Sequence, residues 1–198
     1  MGDLVDFNKL VDEIIIGNNL AANRPVVEKE LLHYDILYAL SAAGLLKKIT
    51  FQGEASLRLC YNSNRFSEDL DFAGGRDFCS AQMQEIKHCI EKYVGGRYGL
   101  EVIVKEPKEL RQEPAYAEVQ VDKWQISVTT SPEKKDLPRQ CIKIEIANIP
   151  AYTQSPRMLV RNYMYLPDGY SDFFVQVEEL NEVMADKLVS FSATTNRI

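Results

Sequence analysis

Asp69 and Asp71 lie one residue apart at the end of a 51–72 stretch that reads FQGEASLRLCYNSNRFSEDLDF. Alternate residues of a strand point to the same face. A strand over 70–72 therefore sets both carboxylates side by side and buries Leu70 and Phe72 behind them. Carboxylates held that close repel each other unless a cation lies between them. Hard oxygen donors of this kind suit Mg²⁺, which keeps some waters and takes further ligands from substrate phosphates. The plainer reading is a solvated acidic turn, Ser67-Glu68-Asp69, ahead of an ordinary strand. Phe66, Leu70 and Phe72 speak for acidic residues embedded in packed structure instead. Upstream, Gly53 opens a turn into a short helix over 55–61, whose free N-terminal amides can hold an anion. Ser56 and Arg58 lie on that turn, with Arg58 either a partner for a phosphate oxygen or an ordinary exposed helix arginine.

These residues need a scaffold, and hydrophobic periodicity supplies one. Leu4, Phe7, Leu10, Val11, Ile14 and Ile15 predict an amphipathic helix over 4–16, followed by a linker. Together they form an N-terminal unit, 1–24, ahead of a main domain over 25–198. Pro25 begins a long helix over 26–46, with Gly44 near its end. A strand over 49–52 leads into the glycine turn, and Gly74-Gly75 closes the Asp-x-Asp strand. A helix over 78–93 ends at Gly95-Gly96, and a strand covers 100–105. Ala117, Val119 and Val121, then Trp124, Ile126 and Val128, predict a hairpin turned near Asp122-Lys123. After a charged loop over 131–138, Ile142, Ile144 and Ile146 face one way while Cys141, Lys143 and Glu145 face the other. An irregular excursion over 150–172 precedes a strand over 173–177. The helix over 178–193 has Val183, Met184, Leu188 and Phe191 as its buried stripe.

Composition narrows the class. A chain of 198 residues with 45% hydrophobic and 26% charged residues fits a globular domain with a real core. No apolar run is long enough to cross a bilayer, and the acidic N-terminus lacks a secretory n-region. Cys60, Cys79, Cys89 and Cys141 show no paired spacing, which predicts reduced thiols and a cytoplasmic protein without a membrane partner. His33 and His88 are isolated, which argues against a histidine zinc site or a Ser/His/Asp triad. The net charge of −6 is wrong for a dedicated DNA binder. Basic residues do cluster locally at Lys134, Lys135, Arg139 and Lys143, and at Arg157 and Arg161; scattered solvated charges are the alternative.

The ordered residues Gly53, Leu57, Leu59, Arg65, Ser67, Asp69, Asp71 and Phe72 resemble the signature of the AbiEii/AbiGii-toxin-type nucleotidyltransferases. That family is a branch of the DNA polymerase β-like superfamily. Its pattern is a hydrophobic strand, Gly-Gly-Thr-x-Leu-x-Leu, a short gap, then Arg-x-Ser-x-Asp-x-Asp-Phe. VEELNEVMADKLVSF resembles the later Glu-x-x-x-x-Lys-Leu helix, placing Glu182 and Lys187 on motif positions. The resemblance covers residue 26 to the C-terminus and implies an α+β fold, a mixed β-sheet flanked by helices. It implies a third carboxylate beside the Asp-x-Asp strand, for which Glu145 is the candidate and an ordinary strand glutamate the alternative. Asp69, Asp71 and Glu145 are then the metal ligands, and Glu145 is alternatively the base. Gly53, Glu54, Ser56, Arg58, Ser67 and Lys187 are placed around the nucleotide.

The implied reaction is transfer of a nucleoside monophosphate from an NTP, with two Mg²⁺ ions, to a hydroxyl acceptor such as RNA. The implied setting is a toxin with a cognate antitoxin. Two departures stand out. Glu54 replaces the second glycine of the pair, adding negative charge where phosphates should lie. The family continues into a basic Arg-Asp-x-x-Asp segment, whereas this sequence stops at Arg197-Ile198, which predicts a domain shortened at its C-terminus. These departures motivate a second reading, a nucleotide-binding or protein-interaction module without catalysis. A third is a metal-dependent phosphodiesterase that uses water as its nucleophile.

Overall fold

In the computed structural model, residues 4–20, 23–133 and 138–195 are described, with 190–195 described by their backbone alone. Lys134 and Lys135, Arg197-Ile198 and the side chain of Phe191 lie outside the described residues. The order is α1 (Phe7–Asn18), α2 (Arg24–Ala42), β1 (Thr50–Gln52), α3 (Gly53–Cys60), β2 (Leu70–Ala73), α4 (Ile86–Tyr98), β3 (Val102–Lys105), β4 (Val121–Val128), β5 (Gln140–Ala147), β6 (Ser155–Met158), β7 (Phe174–Val177) and α5 (Leu180–Thr195). One mixed seven-stranded sheet runs β3-β4-β5-β2-β1-β7-β6. Within it β2 pairs with β5 and β1 with β7 in parallel, and the remaining neighbours are antiparallel.

Alternation divides this sheet into a dry face and an open face. Phe51, Leu70, Phe72, Trp124, Ile126, Ile142, Ile144, Ile146, Val175 and Val177 are fully buried on the dry face. They join Leu31, Leu32, Ile36, Leu37 and Leu40 of α2 in one core. Phe7, Val11 and Ile14 of α1 are buried in that same core, and Arg24 at the start of α2 reaches back to Asp12 of α1. α2 is buried on almost every side, Glu28, Glu30, His33 and Asp35 included, because α1, α4 and the sheet all pack against it.

Three predicted elements differ. Residues 121–128 form one strand, not two arms of a hairpin. Asp122 occupies an inward position in line with Trp124, where it pairs with Arg111, so its polarity interrupts the apolar pattern without turning the chain. α4 begins at Ile86 and runs through Gly95-Gly96 to Tyr98, ending at Gly99 with φ +66°. That left-handed conformation favours glycine and supplies the helix stop. On α5, Met184 and Leu188 are exposed, not buried, and only Val183 of the predicted stripe is shown buried among the described side chains.

Candidate active site

The end of the sheet where β1 stops is where the candidate residues gather. Gln52 pairs with Asp71, Asp71 with Glu145, and Glu145 with Lys123. On the other side Phe51 pairs with Val177, and the Glu178 amide donates to the Phe51 carbonyl at 3.1 Å. Lys123, Glu145, Asp71, Gln52 and Glu178 thus form one row across five strands. Phe51 and Phe72 stack beneath it at 5.0 Å between ring centroids and fix its floor.

Gly53 follows directly, with φ +75°. A Cβ at this position would stand 2.7 Å from Asp71 Oδ2, so both the backbone and the close carboxylate require glycine. α5 passes above the row, and a cleft of about 520 Å³ opens between them. Glu54, Asp71, Glu145, Glu178, Asp186 and Lys187 give that cleft its charge.

This acidity perturbs the floor. Burial, then the carboxylates of Glu145, Asp69 and Glu54, push the Asp71 carboxyl up to about 6. Burial, then Glu182 and Asp186, push Glu178 up to about 7. The counter-cations come from the chain. Lys143 donates to both oxygens of Asp69, from its amide and its Nζ, each at 3.1 Å. Lys123 Nζ lies 2.9 Å from Glu145. Arg65 and Lys187 both reach Glu54, at 3.0 and 3.4 Å.

The expected cage of Asp69, Asp71 and Glu145 is not assembled: among the described residues no group of three acidic, histidine or cysteine side chains is placed to hold a metal ion. The physical reason is the lysines. Asp69 is tied to Lys143 beyond the end of β2, and Glu145 is turned toward Lys123. The donor set nevertheless suits a hard divalent cation, because Asp71 keeps a raised pKa among like charges and the two lysine ammoniums already stand in as cations.

Three predicted residues point elsewhere. Arg58 donates to Glu30 at 3.0 Å and to the Ser63 carbonyl at 2.9 Å, and it lies over the Phe66 ring. Ser56 is buried and donates back to the Gly53 carbonyl at 2.8 Å. Ser67 bonds the Asp69 carbonyl at 3.4 Å. All three shape the turn and the loop without lining the cleft. Glu182, a motif position, accepts from the Tyr152 and Thr153 amides and so pins α5 to the segment before β6.

Lys123, Lys143, Gln52, Glu178 and Asp186 were not singled out for a role at the site by sequence reasoning. Lys123, Gln52 and Glu178 become visible only through the strand register, whereas Lys143 shares the outward face of Glu145 and could have been flagged.

Residues 35–198 match the family model described as the nucleotidyl transferase AbiEii toxin of a type IV toxin–antitoxin system. The chain belongs to the AbiEii family. Two solved structures are similar to this AbiEii chain: JHP933 from Helicobacter pylori and a candidate nucleotidyltransferase of the same organism. Each is 18% identical with a TM-score of 0.49 and is matched over 82% of this chain. The AbiEii chain spans 56% and 57% of their respective lengths. No curated protein matches it. No described helix is long and apolar enough to cross a membrane.

Proposed function

We propose that this AbiEii chain transfers a nucleoside monophosphate from an NTP to a hydroxyl acceptor such as an RNA end. The supporting observation is the packing of the Gly53 turn against Asp71, with Glu145 in register beside it and Lys187 across the cleft. Asp71, Glu145 and Asp69 would hold Mg²⁺ once Lys123 and Lys143 swing aside. Bound Mg²⁺ would neutralise the triphosphate and acidify the acceptor hydroxyl. Glu145, as third ligand or as base, would face the acceptor, whose oxygen bonds to the α-phosphorus as pyrophosphate leaves. The Gly53 turn offers the first amides of α3 to the phosphates, and Lys187, released from Glu54, would meet charge growing on the leaving group. The setting we propose is the cytoplasm, with a cognate antitoxin as the protein partner.

The test is transfer from α-labelled NTPs to RNA in the presence of Mg²⁺. Asp71→Ala should lose transfer by about a hundredfold or more. Undiminished turnover in that variant sinks the reading. The Lys187–Glu54 pair and the unassembled cage favour one competitor, a nucleotide-binding module without catalysis. Triphosphate binding by the unmodified chain without release of pyrophosphate would select it.

A further inference from the structure

Two side-chain acceptors in the row have no partner among the described residues. Gln52 Oε1 is shut off from solvent and makes no hydrogen bond among the described residues. Glu178 is 3% exposed. Its main chain is committed, the amide to Phe51 and the carbonyl to the Tyr61 hydroxyl at 2.6 Å. Its carboxyl takes no hydrogen bond or ion pair among the described residues and lines the cleft. A buried polar atom without a partner costs about 1–3 kcal/mol, so Gln52 Oε1, beside an unpaired carboxyl that lines the same cleft, calls for an explanation. Neither belongs to the motif residues, and neither side-chain acceptor gains a hydrogen bond among the described residues.

We infer that Gln52 and Glu178 form a sugar subsite that accepts hydrogen bonds from the 2′- and 3′-hydroxyls of the bound nucleotide. This rests on the nucleotidyltransferase reading and extends it to a preference for ribonucleotides. The geometry follows from the sheet. Neighbouring strands lie about 4.8 Å apart, so acceptors on β1 and just past β7 flank a space the width of a vicinal diol. They lie beside Gly53, Gln52 one strand and Glu178 two strands further from Glu145 than Asp71 is. A triphosphate on the glycine turn would therefore leave its sugar over this pair.

The chemistry narrows the ligand. A glutamine oxygen beside a carboxyl offers acceptors in excess, whereas most base edges alternate donors and acceptors. The two matches are a ribose diol, which every ribonucleotide carries, and the guanine edge with its adjacent N–H donors. A site built to bond a hydroxyl discriminates against an analogue lacking it, because its own acceptors then stay unpaired.

The experiment is calorimetric titration of the full chain, with Mg²⁺, using ATP, GTP, 2′-deoxy-ATP and 2′,3′-dideoxy-ATP. ATP should bind at least about tenfold tighter than the dideoxy analogue, with 2′-deoxy-ATP between them. Glu178→Met and Gln52→Met keep side-chain volume and should bring the ratio close to one by weakening ATP while leaving the dideoxy analogue unchanged. Circular dichroism confirms that each variant is folded, and Glu178→Gln, which keeps an acceptor, should retain part of the preference. Equal affinity of the unmodified chain for ATP and dideoxy-ATP overturns the inference. So does a preference for GTP that Glu178→Met abolishes while the sugar ratio survives, since that assigns the acceptors to the base. Failure of all four nucleotides to bind overturns the nucleotidyltransferase reading and this inference with it.

Discussion

Glu54 is one side chain that bears on the proposed phosphate site. The family signature has glycine there, and a glutamate brings a charge that repels phosphate. In the folded chain this carboxylate bridges Arg65 and Lys187 across the mouth of the cleft. It therefore occupies the cation that a triphosphate would use as well as adding charge of the wrong sign. Glu54→Gly should raise triphosphate affinity by about tenfold, measured by titration at low salt, because it frees Lys187 and removes one like charge. An unchanged or weaker affinity would mean that the bridge assists binding. Gly53 was legible as a turn residue from its type and place. The tie between Glu54 and Lys187 was not, because it joins residues that only tertiary packing brings together. Arg58 misled for the same reason: its buried partner Glu30 lies on α2 and holds it away from the cleft.

At the scale of elements, α2 does more than fill the core. His33 on α2 meets the Glu68 carbonyl at 3.2 Å, and Lys29, one turn earlier, pairs with the Glu68 carboxylate at 3.0 Å. The helix thus anchors the loop that delivers Asp69 to β2. Burial holds the His33 imidazole down to about 4, against 6.5 for a free histidine. The folded state keeps the ring neutral, so below 6.5 the unfolded chain binds the proton first. The contribution of this one group is intact above pH 6.5 and is lost as pH drops toward 4, by up to about 3 kcal/mol. His33→Gln can still donate to the Glu68 carbonyl without titrating. Its melting temperature should therefore fall less than that of the unmodified chain between pH 6.5 and 4, as followed by circular dichroism. Parallel slopes would reject the assignment. Strands β2 and β5 were readable from the alternation of Leu70, Phe72, Ile142, Ile144 and Ile146. Strand β4 was misread because the inward Asp122 is neutralised by Arg111, eleven residues away, and a buried ion pair looks like a turn in one dimension.

For the whole molecule, connectivity decides when the site exists. Strand β1 is interior to the sheet, and its neighbours arrive at very different times: β2 follows within twenty residues, whereas β7 comes more than a hundred residues later. This non-local pairing was beyond periodicity, which identifies strands but not their order, and it is why Glu178 carried no signal before the register was known. A chain ending at residue 172 would expose the second edge of β1 and lose α5. It should elute as aggregates in size-exclusion chromatography and unfold in urea without a cooperative transition. A monomeric peak with a sharp transition would contradict this account. The late partner also has a bearing on the cell that makes the protein. Synthesis runs from the N-terminus, so a growing polypeptide on the ribosome has its glycine turn and acidic pair long before the wall that closes over them. Until that wall emerges and docks, the cleft lacks Glu178, Val183, Asp186 and Lys187, a third of the residues that line it.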